Sequence, residues 1–244
     1  MVYGIHLDCF TAPPRPLCQL VYRTGFRSVM LHLGGEYAGQ ETQAARAAGL
    51  YVENVHAPFE EINEIWKDTL AGEEVARRFH DCLEACHREE IPTAVFHLSS
   101  SPFPPLISPV GVRRFTQLVD FAETCGVNIA LENQRVFRHM DYLFSTIESP
   151  RLKFCYDSGH EACFSHTRFI LSKYRSRLAA VHLHDNDGRT DQHLRPGEGV
   201  VDWDYVRRGL RDYEGAVALE LKPDPSLPPE VFYARALESA RWVK

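Results

Sequence analysis

Eight short apolar runs punctuate this chain, and a stretch with helical spacing follows each of them. The runs are VYGIHL (2–7), SVMLHL (28–33), LYVENVHA (50–57), PTAVFHL (92–98), VNIALEN (127–133), RLKFCYD (151–157), LAAVHLH (178–184) and AVALELK (216–222). Their length and their content of β-branched and aromatic residues predict strands. The intervening spans predict helices near 15–24, 41–48, 68–88, 110–125, 139–147, 167–176, 202–210 and 229–243. Leu70, Val75, Phe79, Leu83 and Cys86 recur on one helical face, as do Phe115, Leu118, Val119 and Ala122. Strands joined through helices run in one direction, because the crossover returns the chain to the same end of the sheet. Eight such units in 244 residues, against roughly 250 for the closed form, predict an α/β fold. It is a single (β/α)8 TIM barrel with residues 1–244 as one domain. The Ser- and Pro-rich stretch 99–109 reads as a site loop, since it follows a strand whose end carries the ligand-type residue His97.

Composition narrows the function classes. An apolar content of 44% and a charged content of 25% suit a globular protein with a sizeable core. A net charge of −6 argues against nucleic acid as the main partner, since phosphate contacts need a basic face. The seven cysteines are odd in number and contain no CxxC pair, so they read as reduced thiols. The start, MVYGIHLDCF, has no basic region before an apolar core, and no run reaches the ~20 apolar residues of a membrane span. The expected location is cytoplasmic, with no membrane contact.

A barrel of this kind builds its site at the C-terminal ends of its strands. Nine acidic and imidazole residues fall at or just past those ends. They are His56, His97, Glu132, Asp157, His160, His182, Asp191, His193 and Glu220. Glu132, Asp157, His182 and Glu220 come from the last four strands and make a carboxylate-rich cage for a divalent ion. Mn, Mg, Co and Zn all suit such a cage. His184 lies two residues after His182 and shares its side of the strand, so either can be the ligand. His56, His97, His160, Asp191 and His193 either complete further metal positions or hold substrate and orient the ligands. Glu132 and Glu220 suggest a mechanism. A metal that binds an α-hydroxy ketone acidifies the C–H beside the carbonyl and stabilises the enediolate. One carboxylate removes the proton and the other returns it. Return to the opposite face is epimerisation, and return to the neighbouring carbon is isomerisation.

Six fragments, VHAP, LEN, YDSGH, VHLHDND, DQHLRPGEG and LELK, occur in that order between His56 and Lys222. In them the chain resembles the xylose isomerase-like TIM barrel superfamily, the sugar phosphate isomerase/epimerase group. The resemblance implies an isomerase or epimerase acting on a small-molecule sugar or sugar phosphate. It also implies metal ligation by Glu132, Asp157, His182 and Glu220, with the glutamates as acid/base pair and His160 on the substrate. The same superfamily contains endonuclease IV, which cleaves abasic DNA with three zinc ions. Matching residue types stand at all nine positions, which implies a multi-zinc phosphodiesterase as the alternative. The short stretch between His182 and Asp191 and the compact, acidic chain favour the sugar enzyme. Barrels of this kind often pair, so a homodimer is a candidate assembly.

Lys222 follows Glu220 by two and is expected to face the same interior, on a substrate phosphate or on a glutamate. His160, His184 and Lys222 are the candidate substrate-binding residues. His6 and His32 end early strands and read as structural or as pocket lining. Phe59 and Trp66 are candidates to cap a sugar face. The GEG at 197–199 lacks the lysine of a phosphate loop and reads as a turn.

Overall fold

The computed structural model describes residues 2–7, 12–32, 39–165 and 169–243. Its strands are β1 (Val2–His6), β2 (Ser28–His32), β3 (Tyr51–His56), β4 (Thr93–Phe96), β5 (Asn128–Glu132), β6 (Leu152–Asp157), β7 (Leu178–Leu183) and β8 (Ala216–Leu219). Each pairs in parallel with the next, and β8 pairs with β1 to close the barrel. The helices around it are α1 (Pro14–Thr24), α2 (Gln40–Ala47), α3 (Leu70–Arg88), α4 (Pro109–Cys125), α5 (Arg138–Thr146), α6 (Ser158–Phe164), α7 (Ile170–Tyr174), α8 (Trp203–Gly209) and α9 (Pro229–Val243). The predicted eight-stranded barrel is the fold observed. No described helix is long and apolar enough to cross a membrane. The six described cysteines are free, and Cys82 and Cys86 are buried.

Local chemistry sets the helix starts. Thr69 and Ser108 each accept the backbone N–H three residues on, from Gly72 and Gly111, and so cap α3 and α4. Asp202 caps α8 in the same way through Tyr205. The stretch after β6 differs from expectation. One helix was predicted over 167–176, but α6 starts directly at Ser158 and a separate α7 follows at Ile170. Asp157 causes this early start: its carboxylate accepts the His160 N–H at 2.6 Å and nucleates a turn where the strand ends. The first part of the expected helix, 166–168, lies outside the described residues.

The barrel interior supports the site. Val95, Ala130, Cys155 and Ala180, one from each of β4 to β7, form a small buried cluster of their own. Each precedes a ligand-type residue by two: His97, Glu132, Asp157 and His182. Since strand side chains alternate, one layer of small residues is the floor and the next layer is the ligand set. The register pairs Asp157 with His182 at one level and Glu132 with Cys155, two positions before Asp157, so the ligand set is staggered along the strands.

Two expectations about aromatic residues separate here. Trp66 is 2% exposed, donates Nε1–H to the Leu98 carbonyl at 2.8 Å and packs near Phe115 and His139. It is a core residue and caps no sugar face. Gly111 admits it, because a Cβ there would lie 2.4 Å from the indole. Phe59 stays at the rim, its ring centroid 4.6 Å from that of His97.

The long loop after β7 is organised by Asp185, which is fully buried. Its backbone bridges to Leu194, and its carboxylate accepts from the N–H groups of Asn186, Gly197 and Val201 and from Trp203 Nε1. Asp185→Ala leaves four donors, three of them buried, without an acceptor, so a loss of about 3 kcal/mol is expected. Urea unfolding checks it, and a loss below about 1 kcal/mol would show that water replaces the carboxylate.

Candidate metal centre

All nine predicted residues, and His184, converge at the C-terminal mouth in three groups whose ligand atoms lie within 4.8 Å of one another. The central group is Glu132, Asp157, His182 and Glu220. Glu132 Oε1 lies 2.8 Å from His182 Nδ1, and Glu220 Oε2 lies 3.2 Å from the same nitrogen. A second group, His56, His97 and Glu132, shares the same glutamate: His97 Nε2 is 2.5 Å from Glu132 Oε2. The third group is His160, His184, Asp191 and His193, with His160 Nε2 3.4 Å and His193 Nε2 3.5 Å from the Asp191 carboxylate. His182 and His184 therefore face different groups. His184 Nε2 also lies 3.1 Å from Asp157 Oδ1, which joins the central and third groups.

The backbone fixes which imidazole nitrogen faces inward. His56 Nδ1 is 2.9 Å from the Ala57 carbonyl, His160 Nδ1 is 3.1 Å from that of Asn133, and His193 Nδ1 is 2.7 Å from that of Glu220. In each case Nδ1–H donates and Nε2 is left for the site, which is how ligand histidines are oriented. His193 adopts a positive φ of 53° to reach its place. Gly159 lets His184 approach, because a Cβ there would lie 2.0 Å from the ring.

The donor set fits a divalent cation. Asp157 Oδ2 and His182 Nε2 are buried atoms with no hydrogen-bond partner among the described residues, and His184 Nε2, Asp191 Oδ1 and Glu220 Oε2 face an oppositely charged group at 3.1–3.7 Å without hydrogen-bond geometry. Buried lone pairs without a donor are costly. A cation with ligand distances of roughly 2.0–2.6 Å satisfies several of them together.

Electrostatics agree with this. Burial raises the Glu132 carboxyl, but His97, His182 and His56 outweigh it and hold the group well below the usual carboxylate range. Burial likewise raises Glu220, and His182 and His193 reverse it. Burial disfavours a charged His182, yet Cys155, Glu132 and Glu220 lift it well above 6.5. His160 and His193 are lifted against burial to about 10 and about 9, chiefly by Asp157 and Asp191 for the first and by Asp191 and Glu220 for the second. Protons on these rings compensate the carboxylates, and a cation can take their place.

Several neighbours were not singled out from sequence. Gln134 Nε2 donates to Glu132 Oε2 at 3.0 Å and lies 2.9 Å from His97 Nε2 and 3.2 Å from His160 Nδ1, so it links all three groups. The Asn133 side chain clamps the Asp157 backbone at both N–H and carbonyl, each at 2.8 Å. Ser158 Oγ donates to the His184 carbonyl and accepts its N–H. The available signal was position alone: Gln134 lies two past Glu132, on the same side of an extended chain. Lys222 is exposed at the rim, where Nζ donates to the Asp191 carbonyl at 3.0 Å and braces the loop. His6 and His32 line the mouth beside His56, with His6 Nε2 2.8 Å from the Leu221 carbonyl.

The model of the xylose isomerase-like TIM barrel family matches residues 18–243, and the chain belongs to that family. An uncharacterized protein of Methanocaldococcus jannaschii is 26% identical over 186 residues, 69% of this chain and 64% of that protein. Fructoselysine 3-epimerase of Escherichia coli O157:H7 is 29% identical over 139 residues, 52% of this chain and 50% of the enzyme. The aligned stretches thus span less than two thirds of these relatives. Among solved structures, the IOLI protein with a binding zinc atom superposes with a TM-score of 0.81 at 16% identity, covering 100% of this chain and 98% of that one.

Proposed function

We propose that this protein is a divalent-metal-dependent isomerase or epimerase of a keto sugar or sugar phosphate, working by proton transfer through an enediolate of the substrate. One observation carries the reading: Glu132 and Glu220, from β5 and just past β8, approach the same His182 nitrogen, so two carboxylates border one small space. The central group would hold the cation, which supplies Lewis-acid charge to the substrate carbonyl and its neighbouring hydroxyl. Glu132 is held on both oxygens, by His97 and Gln134 on one and by His182 on the other, whereas Glu220 has a single side-chain partner among the described residues, His182 at 3.2 Å. Glu220 is therefore the carboxylate positioned to take a proton from the carbon beside the carbonyl, and Glu132 the one to return it. His160, seated three residues past Asp157, and His184 orient the substrate hydroxyls. The sugar-epimerase relative supports this reading, as does the family.

The test is a screen of ketoses, ketose phosphates and inososes with added Mn²⁺ in D₂O, read by NMR. Deuterium entering at the carbon beside the carbonyl is the expected result, and no exchange on any candidate would overturn the reading.

A second reading is favoured by one specific observation. The groups His56–His97–Glu132 and His160–His184–Asp191–His193 provide two more candidate metal positions beside the central one. Three ions held together suit metal-assisted phosphoester hydrolysis, with abasic DNA as one substrate. Metal analysis separates the readings: three retained zinc ions with nicking of abasic DNA would select the hydrolase, one exchangeable ion with proton exchange the sugar enzyme.

A further inference from the structure

The sugar-enzyme reading leaves open what holds the end of the substrate away from the reacting carbons. Arg135 lies three residues past Glu132, in the segment between β5 and α5. Its guanidinium carbon sits 3.8 Å over the centroid of the Phe164 ring. Phe164 in turn stacks on His160, with centroids 5.3 Å apart and planes inclined by 26°. The residue just before it, Gln134, hydrogen bonds inside the metal centre. Arg135 is thus fixed to the outer wall of the site both through the chain and through an aromatic platform.

Four other cations are already engaged. Lys222, the sequence's candidate for a phosphate, donates to the Asp191 carbonyl. Arg138 donates to the Pro104 carbonyl at 2.9 Å, Lys173 pairs with Asp141 at 2.6 Å, and Arg195 pairs with Glu198. Arg135 is exposed and has no hydrogen bond or ion pair among the described residues. The ring under one face of the guanidinium leaves its N–H edge open, and that edge matches two oxygens of a carboxylate or phosphoryl group.

Resting on the sugar-enzyme reading, we infer that Arg135, seated on Phe164, is an oxyanion subsite that receives a phosphoryl or carboxylate group at the far end of the substrate chain. The protein then selects anionic over neutral sugars.

The test uses Mn²⁺-loaded full-length protein and three probes: D-fructose, D-fructose 6-phosphate and D-fructuronate, with binding by calorimetry and exchange in D₂O. At least one anionic probe is expected to bind about tenfold tighter than fructose, and the better arm tells phosphoryl from carboxylate. In Arg135→Gln the ratio is expected to collapse to within about threefold, and in Arg135→Lys to fall part of the way, because the fork is lost but the charge remains. Phe164→Leu is expected to lower the ratio as well. Equal binding of all three probes, or an unchanged ratio in Arg135→Gln, would overturn the subsite. Exchange without charge preference sinks the subsite and leaves the enzyme reading standing. Charge preference lost in Arg135→Gln but without exchange does the reverse, and no binding of any probe overturns both.

Discussion

Glu132→Gln is expected to lower proton exchange by about 10⁴-fold with the fold intact. Glu132 belongs to both the His56–His97 group and the Asp157–His182–Glu220 group. One oxygen lies 2.5 Å from His97 Nε2 and the other 2.8 Å from His182 Nδ1. An amide keeps the size but removes the charge and turns one acceptor into a donor, which then faces an imidazole. Two metal positions weaken at once, and the carboxylate assigned to proton return is gone. Glu220→Gln touches only the central group, so it should lose less metal while losing comparable turnover. Metal content after dialysis, beside D₂O exchange rates, reads both effects. A Glu132→Gln protein that keeps its metal and its turnover would remove the basis of the proposed chemistry.

The reach of the sequence follows from what each feature depends on. The strands and the ligand layer were legible because both are local: Val95 and His97, Ala130 and Glu132, Cys155 and Asp157, Ala180 and His182 each repeat small-then-ligand at spacing two. The convergence of the nine residues followed from barrel closure alone. Other roles were not legible, because partners far apart in the chain assign them. Trp66 turns into the core for the Leu98 carbonyl, 32 positions away, and Gln134 meets His97 across 37. Asp185 reads as one acid in a polar loop until the fold brings Val201 and Trp203 to it. The helix α6 spans seven residues, too few for a periodic signal. Lys222 has the parity of Glu220, but β8 ends at Leu219, so alternation no longer dictates where its side chain points.

The metal-free protein is expected to lose stability in alkali and the metal-loaded protein to resist that loss. His160 and His193 have folded pKa values raised to about 10 and about 9, above the 6.5 of the free group. A raised pKa stabilises the fold fully below the unfolded value, and that contribution is lost as pH climbs through the folded one. The melting temperature of metal-free protein should therefore fall by several degrees between pH 7 and 10. On the acid side Glu132 and Glu220 are depressed, so their contribution is present above the ordinary carboxylate range and disappears as pH falls through and below it. His56, lowered to about 4 by burial and by His97, adds to the acid loss, because the folded site resists its protonation. A cation in the central group must displace the proton on His182, and one in the third group those on His160 and His193, so affinity at either position should rise about tenfold per pH unit for each proton released. The loaded protein then keeps or gains melting temperature over the same range in which the metal-free protein loses it. Melting curves with and without Mn²⁺ or Zn²⁺, together with proton counting by calorimetry in buffers of different ionisation enthalpy, measure both slopes. A pH-independent affinity would mean that these imidazoles are not displaced by the ion, and the assignment of the raised histidines to metal positions would fail.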